Sequence, residues 1–361
     1  MPQRIYLDHA ATTSMRPEAA AAMAAGLSIW ANPSSPHAEG RKAKQALEDA
    51  RRDVAAALNW TGEVIFTAGA SESAALAVQQ AKGGKRFVSA VEHDAILKSA
   101  PDAVIVPVQA DGSVAEDDLR AALAGEDRPI VAIQSVNSET GNQQHIPALA
   151  EIVHGCGGML IVDASQSAGK MPLPDGADAV IVSGHKLGGP IGVGVLLLRD
   201  FALLEPMGGQ ERGYRRGTEN VPAALALAAA LKACGTPYCD PDVLAPIRDT
   251  LAPACKELGG TRLADHVASP TPFVESLAMP GISGSAQLMR FDMLGFAISQ
   301  GSACSSGSLR GSHVLQAMAL DPAIAENVIR VSFGWNTTRD EVEHFCAAWI
   351  AMAREGRDKP I

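Results

Sequence analysis

No apolar run in this chain of 361 residues approaches the length of a membrane span; one of the longest, AALALAAAL at 223–231, falls well short of it. Basic residues are in deficit, 30 Lys and Arg against 40 Asp and Glu, for a formal charge of −10. That balance argues against a nucleic acid or an anionic membrane surface as partner. The opening stretch, MPQRIYLDHAATT, has neither an apolar h-region nor an Arg/Ser-rich amphipathic presequence, so a cytoplasmic enzyme is expected. Six cysteines (156, 234, 239, 255, 304, 346) include no CxxC pair, which leaves little support for a disulfide framework or a structural zinc site. No metal is expected. Internal repeats and low-complexity linkers are also missing.

The chain has enough apolar content, 47%, to bury a large core. From about residue 40 to 200, strand-like and helix-like segments alternate. EVIFTA, RFVSA, AVIVPV, IVAIQSV, MLIVDA, AVIVSG and VGVLLLR read as strands, and RKAKQALEDARRDVAAAL and SESAALAVQQAK as helices. The strands are continuous Val/Ile/Leu/Ala runs rather than alternating ones, the pattern of a parallel or mixed sheet covered on both faces. The reading is α/β, with a large cofactor-binding unit over 14–238 and a smaller α+β unit made of 1–13 and 239–361. Helices are expected in the latter at 243–258, 312–320 and 339–354.

Five of these strands end in polar or ionisable residues: GASES, EHDAI, NSETGN, DASQSAGK and SGHK. In open α/β sheets the carboxyl ends of the strands form the edge where ligands bind. Taken singly, each residue has an ordinary explanation: Asp163 as a helix cap, Lys186 as a snorkelling surface lysine, His93 as a satisfied, partly buried histidine. Taken together they fit pyridoxal 5'-phosphate. Lys186, the only lysine expected on this rim, offers the amine for its aldehyde. Asp163 offers a counter-charge for its pyridine nitrogen, and His93 a plane to stack on its ring. Gly69, Ala70 and Ser71 stand at a helix amino terminus suited to phosphate, where Ser183 and His185 add donors.

Cys304 differs from the other thiols in its setting. The surrounding SQGSACSSGSLRGSH holds six serines, three glycines and one leucine, so an exposed thiol is expected there.

The motifs YLDHAATT, NPSSPH, FTAGASES, VEHDAIL, VDASQSAGK, SGHKLGGPIGVGVL, GGQERGYRRGTENVPA and GSACSSGS occur in order along the chain. In these the sequence resembles the cysteine desulfurases, members of the class V aminotransferase group of fold-type I pyridoxal-phosphate enzymes, in the form with a long cysteine-bearing loop. The resemblance implies a transferase fold with a mainly parallel sheet in the large unit. It implies catalytic roles for Lys186, Cys304 and His93, and cofactor contacts from Ala70, Ser71, Asp163, Gln166, Ser183 and His185. Gln166 would meet the cofactor's phenolic oxygen, and Thr218 the phosphate of the partner subunit's cofactor in a homodimer. Arg330 would clamp the carboxylate of L-cysteine, with Asn137 and Ser138 close by. Sulfur taken up by Cys304 would pass to an acceptor protein such as an iron–sulfur scaffold. The chain departs from the common pattern at Ser138 and Arg216, where asparagine and serine are usual, and at LRGSHV, which replaces an acidic-proline pair. A selenocysteine lyase, a related lyase or aminotransferase, or a non-catalytic scaffold-binding homologue are the alternatives; retention of Lys186, Asp163, His93 and Cys304 weighs against them.

Overall fold

Apolar residues on both faces of every central strand give this chain its architecture. The computed structural model describes residues 4–301 and 311–357. Seven strands form one sheet in the order Glu63–Thr67, Gly194–Leu198, Ala179–Ser183, Met159–Asp163, Ile130–Gln134, Arg86–Ser89 and Val104–Val106. Side chains alternate along them: Val180 and Val182 pack with Leu47, Val54 and the helix Val221–Lys232, while Ala179 and Ile181 pack with the helix Ala70–Gln79 on the other face. Burial on both sides explains the unbroken apolar runs of the sequence.

Gly194–Leu198 runs antiparallel to both neighbours. Only residues 184–193 separate it from the preceding strand, too few for a helical crossover, so the chain turns back directly. The sheet is therefore mixed, and the five strands with polar ends still finish on one rim.

Beside it lies a three-stranded antiparallel sheet of Thr261–Arg262, Val274–Ala278 and Val328–Ser332, in which Ser276 pairs with Arg330. Its core includes Phe291, Phe345 and Trp349, the last two from the helix Arg339–Arg357. The helix expected at 243–258 spans Pro241–Glu257 and contains a π-helical turn at Ile247–Leu251. Pro246 and Pro253 bracket that turn and each withholds a backbone donor, so the hydrogen-bond pattern changes between them. The helix expected at 312–320 is shorter, His313–Ala317, with the Ser312 side chain capping it by accepting from Leu315 N–H. No helix among the described residues is long and apolar enough to cross a membrane.

Residues 5–13 run from a separate two-stranded sheet to the rim of the large one. Ile5–Tyr6 pairs in parallel with Phe296–Ala297, and Thr13 N–H donates to the His185 carbonyl.

Candidate active site

The five polar strand ends open into one cavity of 1140 Å³. It is lined by Gly69, Ala70, Ser71, His93, Asn137, Ser138, Asp163, Gln166, Ser183, His185 and Lys186, with Arg330 contributed by the small sheet. Thr218 is exposed and does not line it. Cys304 lies outside the described residues; the described chain stops at Gly301 and resumes at Gly311, both on the cavity wall.

Lys186 closes a single 3-10 turn, Gly184–Lys186, after the strand Ala179–Ser183, and its Nζ donates to the Ala10 carbonyl. Asp163 ends the adjacent strand, where it pairs with Ile181. Its Oδ1 accepts from Ser165 N–H at 2.9 Å, so it caps a turn rather than a helix while still facing the cavity. Neighbouring strands thus bring the two groups together, the carboxylate at a strand end and the lysine on the short turn that follows the next strand. His93 caps the helix Asp94–Ser99 through Nδ1, which accepts from Ala95 N–H. Burial holds its imidazole below the usual range, with the Lys186 charge adding to the effect and Asp163 opposing it. His185 is pushed down to about 4 by burial and by Lys186 and Lys170, and is neutral at physiological pH. Its Nδ1 lies 3.1 Å from Thr12 Oγ1.

Lys186 is not the only lysine on this rim, as the sequence suggested: Lys98 lines the same cavity from the helix after His93. Helical spacing carries it five residues beyond His93, a return that a reading of strand ends alone misses.

Gly69 adopts φ 147° and caps the helix Ala70–Gln79. A Cβ there would meet nothing within 4 Å, whereas one on Gly194 would sit 2.9 Å from the Gly69 Cα. The two glycines let the backbone approach closely and leave open space before the helix amino terminus. This is a cradle of the right size and polarity for a phosphate.

Arg330 is 2% exposed. Its Nη1 donates to the Ser138 carbonyl at 2.8 Å and to the Gly301 carbonyl at 3.3 Å, and its Nη2 donates to Asp8 Oδ1 at 2.7 Å. Nε has no partner among the described residues. A buried guanidinium with an unused donor beside a cavity is suited to a carboxylate. Ser138 contributes to this clamp through its main chain, so the side-chain departure at that position leaves the contact intact. Asn137 is committed elsewhere: its Oδ1 accepts from Glu139 N–H and Thr140 N–H, and its Nδ2 donates to the Val91 carbonyl.

Several residues of the site were not singled out by the sequence. Asp8 is the counter-charge of Arg330. Replacing it by alanine leaves that cation largely buried and unpaired, and should lower stability by about 2 kcal/mol, below the full value for a buried pair because Asp8 is partly exposed. Urea unfolding would measure it; a loss under about 0.5 kcal/mol would mean that water replaces the carboxylate without cost. Glu92 is fully buried and pushed up to about 8 by burial, so at neutral pH it adds no full negative charge beside Asp163. Its Oε1 accepts from Ser89 Oγ and Gln134 N–H. Glu139 Oε2 accepts from Ser312 Oγ at 2.6 Å, and His313 Nε2 lies 2.9 Å from the Glu92 carbonyl. Glu92 and Glu139 stand inside the strand-end motifs EHDAI and NSETGN, one or two positions from His93, Asn137 and Ser138, and that adjacency was the available signal.

The thiols Cys239, Cys255 and Cys346 are buried, and burial pushes them up to about 11, 12 and 12. As thiols rather than thiolates they are inert.

A doubly wound sheet with lysine and aspartate on adjacent strand ends, a phosphate cradle and a carboxylate clamp defines a class of transferase. The chain belongs to the aminotransferase class-V family, whose model matches residues 5–345. It is 36% identical to the IscS-like cysteine desulfurase of Mycobacterium tuberculosis over 94% of this chain and 93% of that one. Against a cysteine desulfurase of Rhodobacter capsulatus it is 35% identical, over 99% of this chain and 98% of the other. Among solved structures, a NifS-like protein from Rickettsia africae superposes with a TM-score of 0.85 at 28% identity, covering 98% of this chain and 100% of that one.

Proposed function

We propose that this chain is a pyridoxal-phosphate-dependent cysteine desulfurase, converting L-cysteine to L-alanine and holding the sulfur as a persulfide on Cys304. The observation that carries the reading is the meeting of Lys186, Asp163 and the half-satisfied Arg330 around one cavity, in a chain whose relatives are named cysteine desulfurases.

Lys186 and Asp163 would hold the cofactor at its aldehyde and ring nitrogen, His93 would cover the ring, and Gly69, Ala70, Ser71, Ser183 and His185 would take the phosphate. Pyridoxal phosphate, when bound, supplies the electron sink that makes the substrate's Cα acidic. Arg330 binds the substrate carboxylate through Nε and the remaining Nη2 hydrogen, while Asp8 keeps the guanidinium in place. The Lys186 amine carries the proton between Cα and the site, with the His93 imidazole, neutral near pH 7, as the second carrier. The Cys304 thiolate attacks the γ-sulfur of L-cysteine. The carbon–sulfur bond breaks with its electron pair passing to the substrate, which is protonated and leaves as alanine. The thiol sulfur is oxidised to a persulfide in the same exchange, so no outside oxidant is needed.

Thr218 is exposed in the single chain, and it is read as meeting the phosphate bound in the partner subunit of a homodimer. The persulfide is read as passing to an acceptor protein such as an iron–sulfur scaffold, in the cytoplasm.

Cys304→Ser tests the sulfur step. The variant should bind pyridoxal phosphate and L-cysteine as the parent does, release no alanine, and show no sulfur adduct by mass spectrometry, because a hydroxyl is a far weaker nucleophile towards sulfur. Full alanine production by the serine variant would overturn the mechanism.

A further inference from the structure

Lys170 is among the most buried charged side chains in the molecule, 5% exposed, and it does not line the cavity. Its Nζ lies 5.4 Å from the ring centre of Tyr238 and 5.1 Å from that of Phe273. Its hydrogen-bond partner is Gln166 Oε1, at 3.2 Å. No carboxylate pairs with it among the described residues. The titratable and charged groups whose fields meet it are His9, Cys234, His185, Lys186 and Arg330, and the Tyr238 ring packs over it. Burial, reinforced by Lys186 and Arg330, pushes the ammonium down to about 7. A methionine would fill this space without that desolvation cost. A lysine kept here against its own solvation points to use of the amine.

Gln166 is where the amine acts. Its Nε2 donates to the Ala10 carbonyl at 2.8 Å, and that same carbonyl accepts from Lys186 Nζ. The Gln166 amide is thus held at both ends: its oxygen by Lys170 and its nitrogen by Ala10. Its second Nε2 hydrogen remains to be offered. Loss of the Lys170 donor would leave Oε1 unpaired in a buried site and free the amide to turn its oxygen towards the cavity.

We propose that Lys170 is a positioning residue, which acts through Gln166 to fix the hydrogen-bond donor presented to whatever group lies beside Lys186. Its consequence for a bound cofactor rests on the functional reading above; the Lys170–Gln166 contact does not.

The test is a cycle of Lys170→Met, Gln166→Leu and the double variant, with Lys170→Gln as a fourth protein that retains an N–H donor without a titrating amine. Two quantities are read: urea unfolding of each cofactor-free chain, and the pH midpoint of the visible absorbance change of pyridoxal phosphate bound to each. Lys170→Met should raise that midpoint by about one unit, a tenfold change in proton affinity, as expected when a hydrogen bond to a charged form is lost. The double variant should match Gln166→Leu alone, and Lys170→Gln should lie nearer the parent than Lys170→Met. A parental midpoint in Lys170→Met, or a shift that persists without Gln166, would overturn the proposal. If the parent chain takes up no pyridoxal phosphate, the functional reading fails, and the unfolding cycle decides: non-additive losses uphold the contact and additive ones overturn it.

Discussion

Replacing Lys186 by alanine is expected to cut alanine formation by about ten-thousandfold or more, the upper end of what a positioned proton carrier contributes, because the anchoring amine is lost with it. Folding should survive, since the side chain's contact with the Ala10 carbonyl is shared by Gln166 Nε2. Borohydride treatment of the parent protein should fix the cofactor to the chain, and peptide mapping should place the link at Lys186. The cavity holds a second lysine, so the control is specific: a reducible link that persists in Lys186→Ala and vanishes in Lys98→Ala would move the assignment to Lys98.

Asp163→Asn is the second large effect. The substitution keeps an oxygen where Oδ1 accepts from Ser165 N–H, so the turn and the adjoining strand pairing are preserved. Only the charge is removed. Turnover should fall by about 10²–10³, the range for loss of one preorganised electrostatic contact, with little change in the urea midpoint. Near-normal turnover would reduce Asp163 to a turn cap. The same change removes the charge that supports protonation of His93, so the His93 titration should move further down in the variant. Proton magnetic resonance of the imidazole would follow it.

The strands were legible because burial on both faces writes itself as uninterrupted Val/Ile/Leu runs, and the site was legible because five of those runs end in chemistry. The direction of Gly194–Leu198 was not: apolar content says nothing of polarity, and the short return that decides it is a matter of connection length. Asp163 ends its strand and Lys186 and His93 come within four residues of theirs, so their meeting could be read from order alone. Asp8, Glu139 and Lys170 acquire meaning only from partners on other elements. Asp8 has an unremarkable place in YLDHAATT until Arg330, 322 residues away, folds against it. Lys170 closes the strand-end motif DASQSAGK, and only the packing of Tyr238 and Phe273 turns it into a buried amine.

That separation between Asp8 and Arg330 also sets an order of assembly. Domains fold as the chain emerges, amino-terminal portions first. All seven strands of the large sheet have been synthesised by residue 198, with Lys186 and Asp163 already among them, while Val328–Ser332 is still to be made. A growing chain therefore acquires the groups that grip a reactive aldehyde well before the one that grips an amino acid. Until then Asp8 has no cation to meet, and Ile5–Tyr6 has no Phe296–Ala297 to pair with. The stretch from Ile5 to Asp8 is made first yet finds these partners only after Val328–Ser332 appears, so the step that seats it also brings in the carboxylate clamp.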